Sequence, residues 1–525
     1  MNKTLNILIF FSLFLYSIFI NYYTGNTGVI PPDSFTHFDG AYLIKKNIYP
    51  IKDYWVHIGY IPTYIQSLFF SIFGESWNAY VLHASTINAI TALSCYYFFR
   101  IFKLKKIYSF FYSFCVATLC YPTMGTPLPY FHGYIFSLLT CLILCVIYFK
   151  EDKWAIFVLP ILMCVSFLSS QVPATYINII TIFFILLFFY RKKNSSHILI
   201  FFSGSLLSLI AFYSLLKLTE TPIYDFIYQY ILFPLSIGGS RVLSDPNLNV
   251  GSINFITFDQ VIFDYKFFYI FLFPLIYFTF IKIKKNNIFN VENFFLVNVI
   301  IILSIFAFIF HQLITVNQIY IYSLIPVIAA VLHINLDKNN IKKKYFITLV
   351  ILTLLISFKY HYRNNIERRF LDFQWTNLNQ FVKGDLINKK FHNLKWITPK
   401  YWGLSLDSNE EVKLIKEILK TLKNDKRNKA IVTNFQLFAL AADEKIINLN
   451  IAYLFNNSTH PMPGSKYYYY YSTFVKKVLK NHNIEVVYNV EFEKNNFLSL
   501  FDPNCIKEEK IFKNNFSSFE IIDCK

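Results

Sequence analysis

Charge is what this chain has least of. Asp, Glu, Lys and Arg make up 15% of its 525 residues, whereas soluble domains carry about a quarter. Acidic residues are the scarcer sign, 31 against 49 Lys and Arg, for a formal net charge of +18. Cysteine is thin as well, with 8 in all and no CxxC pair or Cys/His spacing of the kind that holds a metal. These absences exclude a chain that is soluble throughout and a zinc module built on local motifs. What fills the sequence instead is apolar: 55% hydrophobic and 20% aromatic residues, with a mean hydropathy of +0.41. That is the composition of an integral membrane protein.

The surplus of positive charge does not describe a nucleic-acid surface, and no nucleic-acid partner is expected. Lysines and arginines gather in short clusters between apolar runs, at Arg100/Lys103/Lys105/Lys106, Lys150/Lys153, Arg191/Lys192/Lys193, Lys282/Lys284/Lys285 and Lys338/Lys342/Lys343/Lys344. This is the positive-inside pattern of cytoplasmic loops. The runs themselves are long enough to span at 5–23 and 77–101, and further spans follow from about 107 to 358, for a total of about eleven. Residues 60–73 are apolar but too short to cross, so they are placed at the interface. With basic loops inside and a cytoplasmic N-terminus, the first loop (24–76), the long loop 217–266 and everything after 358 face outward. In the long loop, 224–233 reads as an interfacial helix and 234–249 as irregular backbone.

From 359 the composition changes. Ser408-Asn409-Glu410-Glu411 matches a capping box, and Val412, Ile415, Ile418, Leu419 and Leu422 follow at helical spacing. Residues 430–434, 484–488 and 519–522 read as strands, with an amphipathic helix around 474–479 between the first two of them. The expected fold is thus an α-helical polytopic membrane protein, residues 1–358, followed by a soluble extracytoplasmic α/β domain, 359–525. Cys505 and Cys524 are the only thiols of that domain, and a disulfide between them is expected, worth about 3 kcal/mol by loop entropy; two free thiols are the alternative. The run Tyr467–Tyr471 suits sugar stacking, membrane docking or a helix with one buried aromatic face.

One stretch is far more polar than its flanks. Residues 31–59 hold Asp33, Asp39, Asp53, His37, His57 and the pair Lys45-Lys46. Elsewhere on the outer side, Arg241 is the only arginine of the 217–266 loop, and His311-Gln312 and Asn317-Gln318 stand near a helix boundary. The pattern Asp33-x3-His37-x3-Ala41-x5-Asn47-x-Tyr49-Pro50-x2-Asp53, followed by Phe73-Gly74-x-Ser76-x2-Ala79, resembles the first outer loop of the GT-C membrane glycosyltransferases, such as protein O-mannosyltransferases and lipid A aminoarabinose transferases. It departs from them in Ser34 where a Glu is usual, in His37 where an aromatic is usual, and in Gln318-Ile319-Tyr320, which lacks the family's arginine.

The resemblance implies a hexosyl- or pentosyltransferase that moves a sugar from a polyprenyl-phosphate carrier to a glycan, lipid or protein acceptor on the outer face. Such a site suits a bacterial inner membrane with the active site on the periplasmic side. Asp33 is the expected base for the acceptor hydroxyl, and a single displacement implies inversion. The anionic leaving group needs donors, for which Arg241, His311 and Lys45/Lys46 are candidates, with His37 and Gln318 as further substrate contacts. Asp53 and Asp39 are candidates for orienting the acceptor or binding a divalent metal; no other cofactor is indicated. Two other classes fit the same span pattern: a transporter or flippase for a lipid-linked glycan, and an O-antigen ligase or polymerase.

Overall fold

A computed structural model describes residues 2–120, 125–243, 256–280, 293–315, 320–339, 341–369, 373, 376–502, 504–513 and 516–522. The chain opens with α1 (Asn2–Gly25), two short helices in the polar stretch, α2 (Pro31–Ser34) and α3 (Phe38–Ile44), and then α4 (Tyr60–Phe73) and α5 (Trp77–Ile101). Next come α6 (Lys106–Leu119), α7 (Pro129–Lys150), α8 (Lys153–Ser169), α9 (Gln171–Lys192) and α10 (Ser195–Leu218). The remaining helices of the bundle region are α11 (Ile223–Phe226), α12 (Phe233–Leu243), α13 (Lys266–Phe280), α14 (Asn293–Thr315), α15 (Leu324–Lys338) and α16 (Lys344–His361).

Among the described residues six helical segments are long and apolar enough to cross a membrane: Thr4–Gly25, Pro129–Lys150, Gln171–Lys192, Ser195–Leu218, Asn293–Thr315 and Lys344–Ile366; α8 and α13 are apolar but shorter. The apolar window of α7 is 83% buried and that of α10 only 6%, which puts α7 at the centre of the bundle and α10 on its rim. Helix α7 packs on α8, α9 and α14, and α5 on α1 and α6. Local signals set the turns. Ser76 and Asp152 cap α5 and α8 by accepting from the amides of Ala79 and Ala155. Glu151 and Lys193 end α7 and α9 in the left-handed region. Helix α4 has 14 residues, about 21 Å at 1.5 Å per residue, well short of a hydrocarbon core of about 30 Å.

Residues 234–243, expected as irregular backbone, are helical in α12, with Phe233 and Ile237 buried one turn apart and anchoring it; 244–249 lie outside the described residues. Ahead of it Ile227–Leu232 is a π-helix.

The C-terminal region holds β1 (Val382–Lys383) and β2 (Lys395–Trp396), paired antiparallel, and α17 (Ser408–Asn424). Then follow β3 (Lys429–Val432), α18 (Phe438–Ala442), β4 (Ile447–Asn448), α19 (Tyr468–Asn481), β5 (Val486–Val490), α20 (Lys494–Leu498), β6 (Ile506–Lys513) and β7 (Phe516–Ile521). The five-stranded sheet has the order β4-β3-β5-β7-β6, with β3 parallel to both β4 and β5 and the β5/β7 and β6/β7 pairs antiparallel. Strand β6, Ile-Lys-Glu-Glu-Lys-Ile-Phe-Lys, escaped the sequence reading because its charges mask the alternation. They are what a solvent-facing edge strand uses to resist pairing with another chain.

The expected capping box at Ser408–Glu411 does not form. Asp407 caps α17 instead, accepting from the amides of Asn409 and Glu410. Glu411 turns inward to accept from Trp396 Nε1, Thr398 Oγ1 and the Leu404 amide, and burial pushes its carboxyl up to about 7. The tyrosine run resolves into a helix with one buried aromatic face. Tyr471 is buried against Trp55, and Tyr470 stacks on Tyr228 with ring centroids 4.3 Å apart.

The loop between α1 and α5 is built into the C-terminal region rather than lying over it. One apolar core holds Phe35, Phe38, Trp55 and Trp77 together with Trp396, Ile415 and Val486. The Gly28 and Val29 amides donate to the Lys395 and Ile397 carbonyls, each at 2.9 Å. Trp55 donates to the Leu449 carbonyl at 2.8 Å and accepts from the Ile451 amide at 3.0 Å. Asp39 completes the joint: its two carboxylate oxygens accept from the amides of Ala439 and Leu440, both at 3.0 Å, capping α18 from across the chain. Replacing Asp39 by Ala strands these buried amides, a loss of about 1–3 kcal/mol. The expected readout is faster hydrogen exchange at residues 438–442 and a lower melting temperature; unchanged exchange there would refute the joint.

Candidate active site

The polar stretch divides by what its carboxylates touch. Asp53 accepts from the Tyr49 amide at 2.7 Å and meets His482 Nε2 at 2.8 Å, closing its own turn and tying it to the end of α19. Asp39 caps α18. Both are buried and spent on structure. Asp33 is different. It stands in the single turn of α2, partly open to solvent, and among the described residues its carboxylate has no hydrogen-bond or ion-pair partner. Enclosure by protein without a compensating donor pushes that carboxyl up to about 6. Ser34 occupies the next position with its hydroxyl accepting from the Ile30 amide at 2.9 Å, so it helps hold the turn that presents Asp33.

An open cavity of about 120 Å³ lies at one end of the bundle. Helix α12 contributes Pro234, Ile237, Gly238 and Arg241 on one face, and α14 contributes His311 and Thr315 from its last turns. Tyr130 comes from the start of α7, and Ser170 and Gln171 from the α8–α9 junction. The polar stretch adds His57, and the C-terminal region adds Ser458. Gln171 fixes this corner by donating to the carbonyls of His57 and Tyr230, both at 2.8 Å.

The electrostatics are one-sided. No carboxylate lines the cavity among the described residues, and Arg241 has no acidic partner there. Its Nε is buried without a hydrogen bond, as is His57 Nδ1. Burial, with the Arg241 charge adding to it, holds His57 down to about 3, so this ring is neutral and can donate from one nitrogen. With the Gln312 amide donating to His311 Nδ1 at 3.1 Å, His311 Nε2 carries its proton. A guanidinium and two imidazoles without a counter-charge make an anion site. Tyr130 lies within electrostatic reach of both Arg241 and Asp33, and Tyr320, stacked on Tyr130 at 6.1 Å, within reach of Asp33. The free carboxylate and the free cation therefore flank the same tyrosine.

The other candidates lie elsewhere. His37 is buried, with Nδ1 against Thr63 Oγ1 at 2.9 Å, and burial keeps it neutral. A Cβ on Gly59, whose φ is +77°, would sit 2.5 Å from the His37 ring, so that residue must be glycine on two counts. Lys45 pairs with Glu75 at 2.6 Å and Lys46 with Asp443 at 3.9 Å, and neither lines the cavity. Gln318 and Cys524 lie outside the described residues; Cys505 is disulfide-bonded. No cluster of three or more His, Cys, Asp or Glu suited to a metal ion occurs among the described residues. Sequence reasoning gave no weight to Tyr130, Gln171 or Ser458. An aromatic just inside a Pro-started helix was the one available signal, for Tyr130.

No protein-family profile and no curated protein matches the chain by sequence. Solved structures do match. The crystal structure of ArnT from Cupriavidus metallidurans bound to undecaprenyl phosphate is similar over 99% of this chain and 98% of its own, at 8% identity and a TM-score of 0.50. The Archaeoglobus fulgidus oligosaccharyltransferase, solved in complex with Zn and sulfate, is similar over 94% of this chain and 69% of its own, at 11% identity and a TM-score of 0.42. At 8% identity the first of these speaks for architecture alone, bundle and C-terminal region alike: the chain has the fold of ArnT.

Proposed function

We propose that the protein is a membrane glycosyltransferase that moves a sugar from a polyprenyl-phosphate carrier to an acceptor, with inversion. The observation that carries the reading is that Arg241, which lines the cavity, and Asp33 both lack a hydrogen-bond or ion-pair partner among the described residues and both lie within electrostatic reach of Tyr130. Arg241, with His57 and His311, takes the phosphate, which a lipid carrier delivers at the membrane surface. Asp33 accepts the proton of the acceptor hydroxyl as its oxygen attacks the anomeric carbon. ArnT, whose fold this chain shares, is described as bound to undecaprenyl phosphate, which supports that class of donor.

We take about eleven crossings, counting the shorter helices, with the first loop and residues 359–525 on one side, read as the periplasmic side of a bacterial inner membrane. The hydrogen bonds that join these two regions favour the common side. An alkaline phosphatase fusion at residue 400 is expected to be active in bacteria; an inactive fusion would overturn this orientation. The reaction itself is tested with purified protein and a labelled lipid-linked sugar. Release of polyprenyl phosphate is expected, whereas movement of the intact lipid across vesicles without release would favour a flippase.

A further inference from the structure

Helix α12 has two lined faces. Pro234, Ile237, Gly238 and Arg241 look onto the cavity described above, while Phe233, Ser236 and Ser240 look onto a second, larger cavity of about 630 Å³. The far wall of the second cavity is the loop 455–467 of the C-terminal region. The two spaces adjoin where that loop passes α12, with Asn456 and Asn457 lining one and Ser458 the other. We propose that this second cavity holds the acceptor, and that the acceptor is a glycan of neutral or acidic sugars. The assignment rests on the glycosyltransferase reading of the first cavity.

The lining chemistry selects the class. It is rich in uncharged hydrogen-bonding groups and holds no carboxylate among the described residues, so a cation or a basic peptide finds no partner. Lys466 is the one charged side chain there, and it is exposed. Phe455 and Tyr467 supply aromatic surface, which packs on the apolar faces of sugar rings as it does on other flat apolar groups.

The amides are already oriented. Asn457 Oδ1 accepts from the Met462 amide at 3.1 Å and Asn456 Oδ1 from the Ser458 amide at 3.2 Å, which leaves both NH₂ groups as donors. Ser465 Oγ is buried with no hydrogen-bond partner among the described residues. A wall of neutral donors with one cation fits the hydroxyl and ring oxygens of a glycan, and its carboxylates where present. The volume lies in the ordinary range of ligand sites. A glycan seated there reaches the donor cavity past Ser458. In the transfer its hydroxyl oxygen bonds to the anomeric carbon, the bond from that carbon to phosphate oxygen breaks with its electron pair, and the hydroxyl proton passes to the Asp33 carboxylate.

The test uses the full chain in nanodiscs, with binding of neutral oligosaccharides, uronic-acid oligosaccharides and short peptides read by saturation-transfer NMR, and binding of polyprenyl phosphate read separately. Wild type is expected to bind oligosaccharides and not peptides. Ser236→Trp fills the cavity and is expected to weaken oligosaccharide binding about tenfold or more, and to weaken it further than polyprenyl-phosphate binding. Lys466→Glu, a change on an exposed side chain whose ammonium stands 5.3 Å from the Tyr467 ring centre, is expected to weaken the acidic oligosaccharides more than the neutral ones. Absent oligosaccharide binding, a preference for peptides, or binding indifferent to both variants overturns the proposal. Failure of wild type to bind polyprenyl phosphate would instead count against the donor reading, and the oligosaccharide arms still decide the nature of this cavity.

Discussion

Arg241→Ala is expected to lower turnover of a polyprenyl-phosphate-linked sugar by about 10²–10³-fold, the usual consequence of removing one donor from a site of developing negative charge. The cavity explains why the loss is that large. No second arginine or lysine lines it among the described residues, and the two imidazoles there are neutral donors that cannot replace a full charge. The guanidinium is half-buried with Nε enclosed and unsatisfied among the described residues, so part of its desolvation is already met in the folded protein and an arriving phosphate gains more than it would at a fully exposed arginine. The effect belongs on donor use: the donor's KM and the rate of polyprenyl phosphate release change, and the acceptor's KM does not. Arg241→Lys keeps the charge but not the fork of donors, and recovers only part of the loss. Equal effects on donor and acceptor parameters would show that Arg241 supports the helix and not the phosphate.

Asp33→Asn is expected to cost about 10²–10⁴-fold in transfer, the range for loss of a positioned general base. The carboxyl is pushed up to about 6 by its enclosure, and only its ionised form can take a proton. The wild-type rate is therefore level above pH 6 and falls about tenfold per unit below it, and the asparagine variant loses that acid limb along with the rate. Donor binding remains, because Arg241 and the two imidazoles are untouched. A variant that keeps both its rate and the limb would move the base to another residue. The nearest alternatives, Asp39 and Asp53, are poor ones: each is buried and bound to groups of the C-terminal region.

The sequence reading succeeded where the signal was local. Apolar length marked the six helices that are long and apolar enough to span among the described residues, β-branched runs marked β3 and β5, and Arg241 and His311 stood out as polar groups at the margins of apolar segments. Their meeting in one cavity could not be read, because it depends on how α12 and α14 pack. The ranking of the three aspartates was legible only in part. Asp33, Asp39 and Asp53 look alike in a polar stretch, and what separates them is the presence or absence of partners such as Leu440 and His482, some 400 residues away. Glu411 is a similar case. A capping-box pattern is local, but a buried network with Trp396 and Thr398 outbids it. Charged β6 was hidden for the opposite reason: an edge strand needs no apolar alternation.

The shared core of the first loop and the C-terminal region also sets the order of assembly. Asp39 leaves the ribosome 400 residues before the amide of Ala439 that it will cap. At about 5–20 residues per second that is an interval of about 20–80 seconds. Through it Phe38, Trp55 and Trp77 have no second half of their core. The loop that presents Asp33 is thus finished by a region made much later, and a copy that lacks that region cannot hold Asp33 in place.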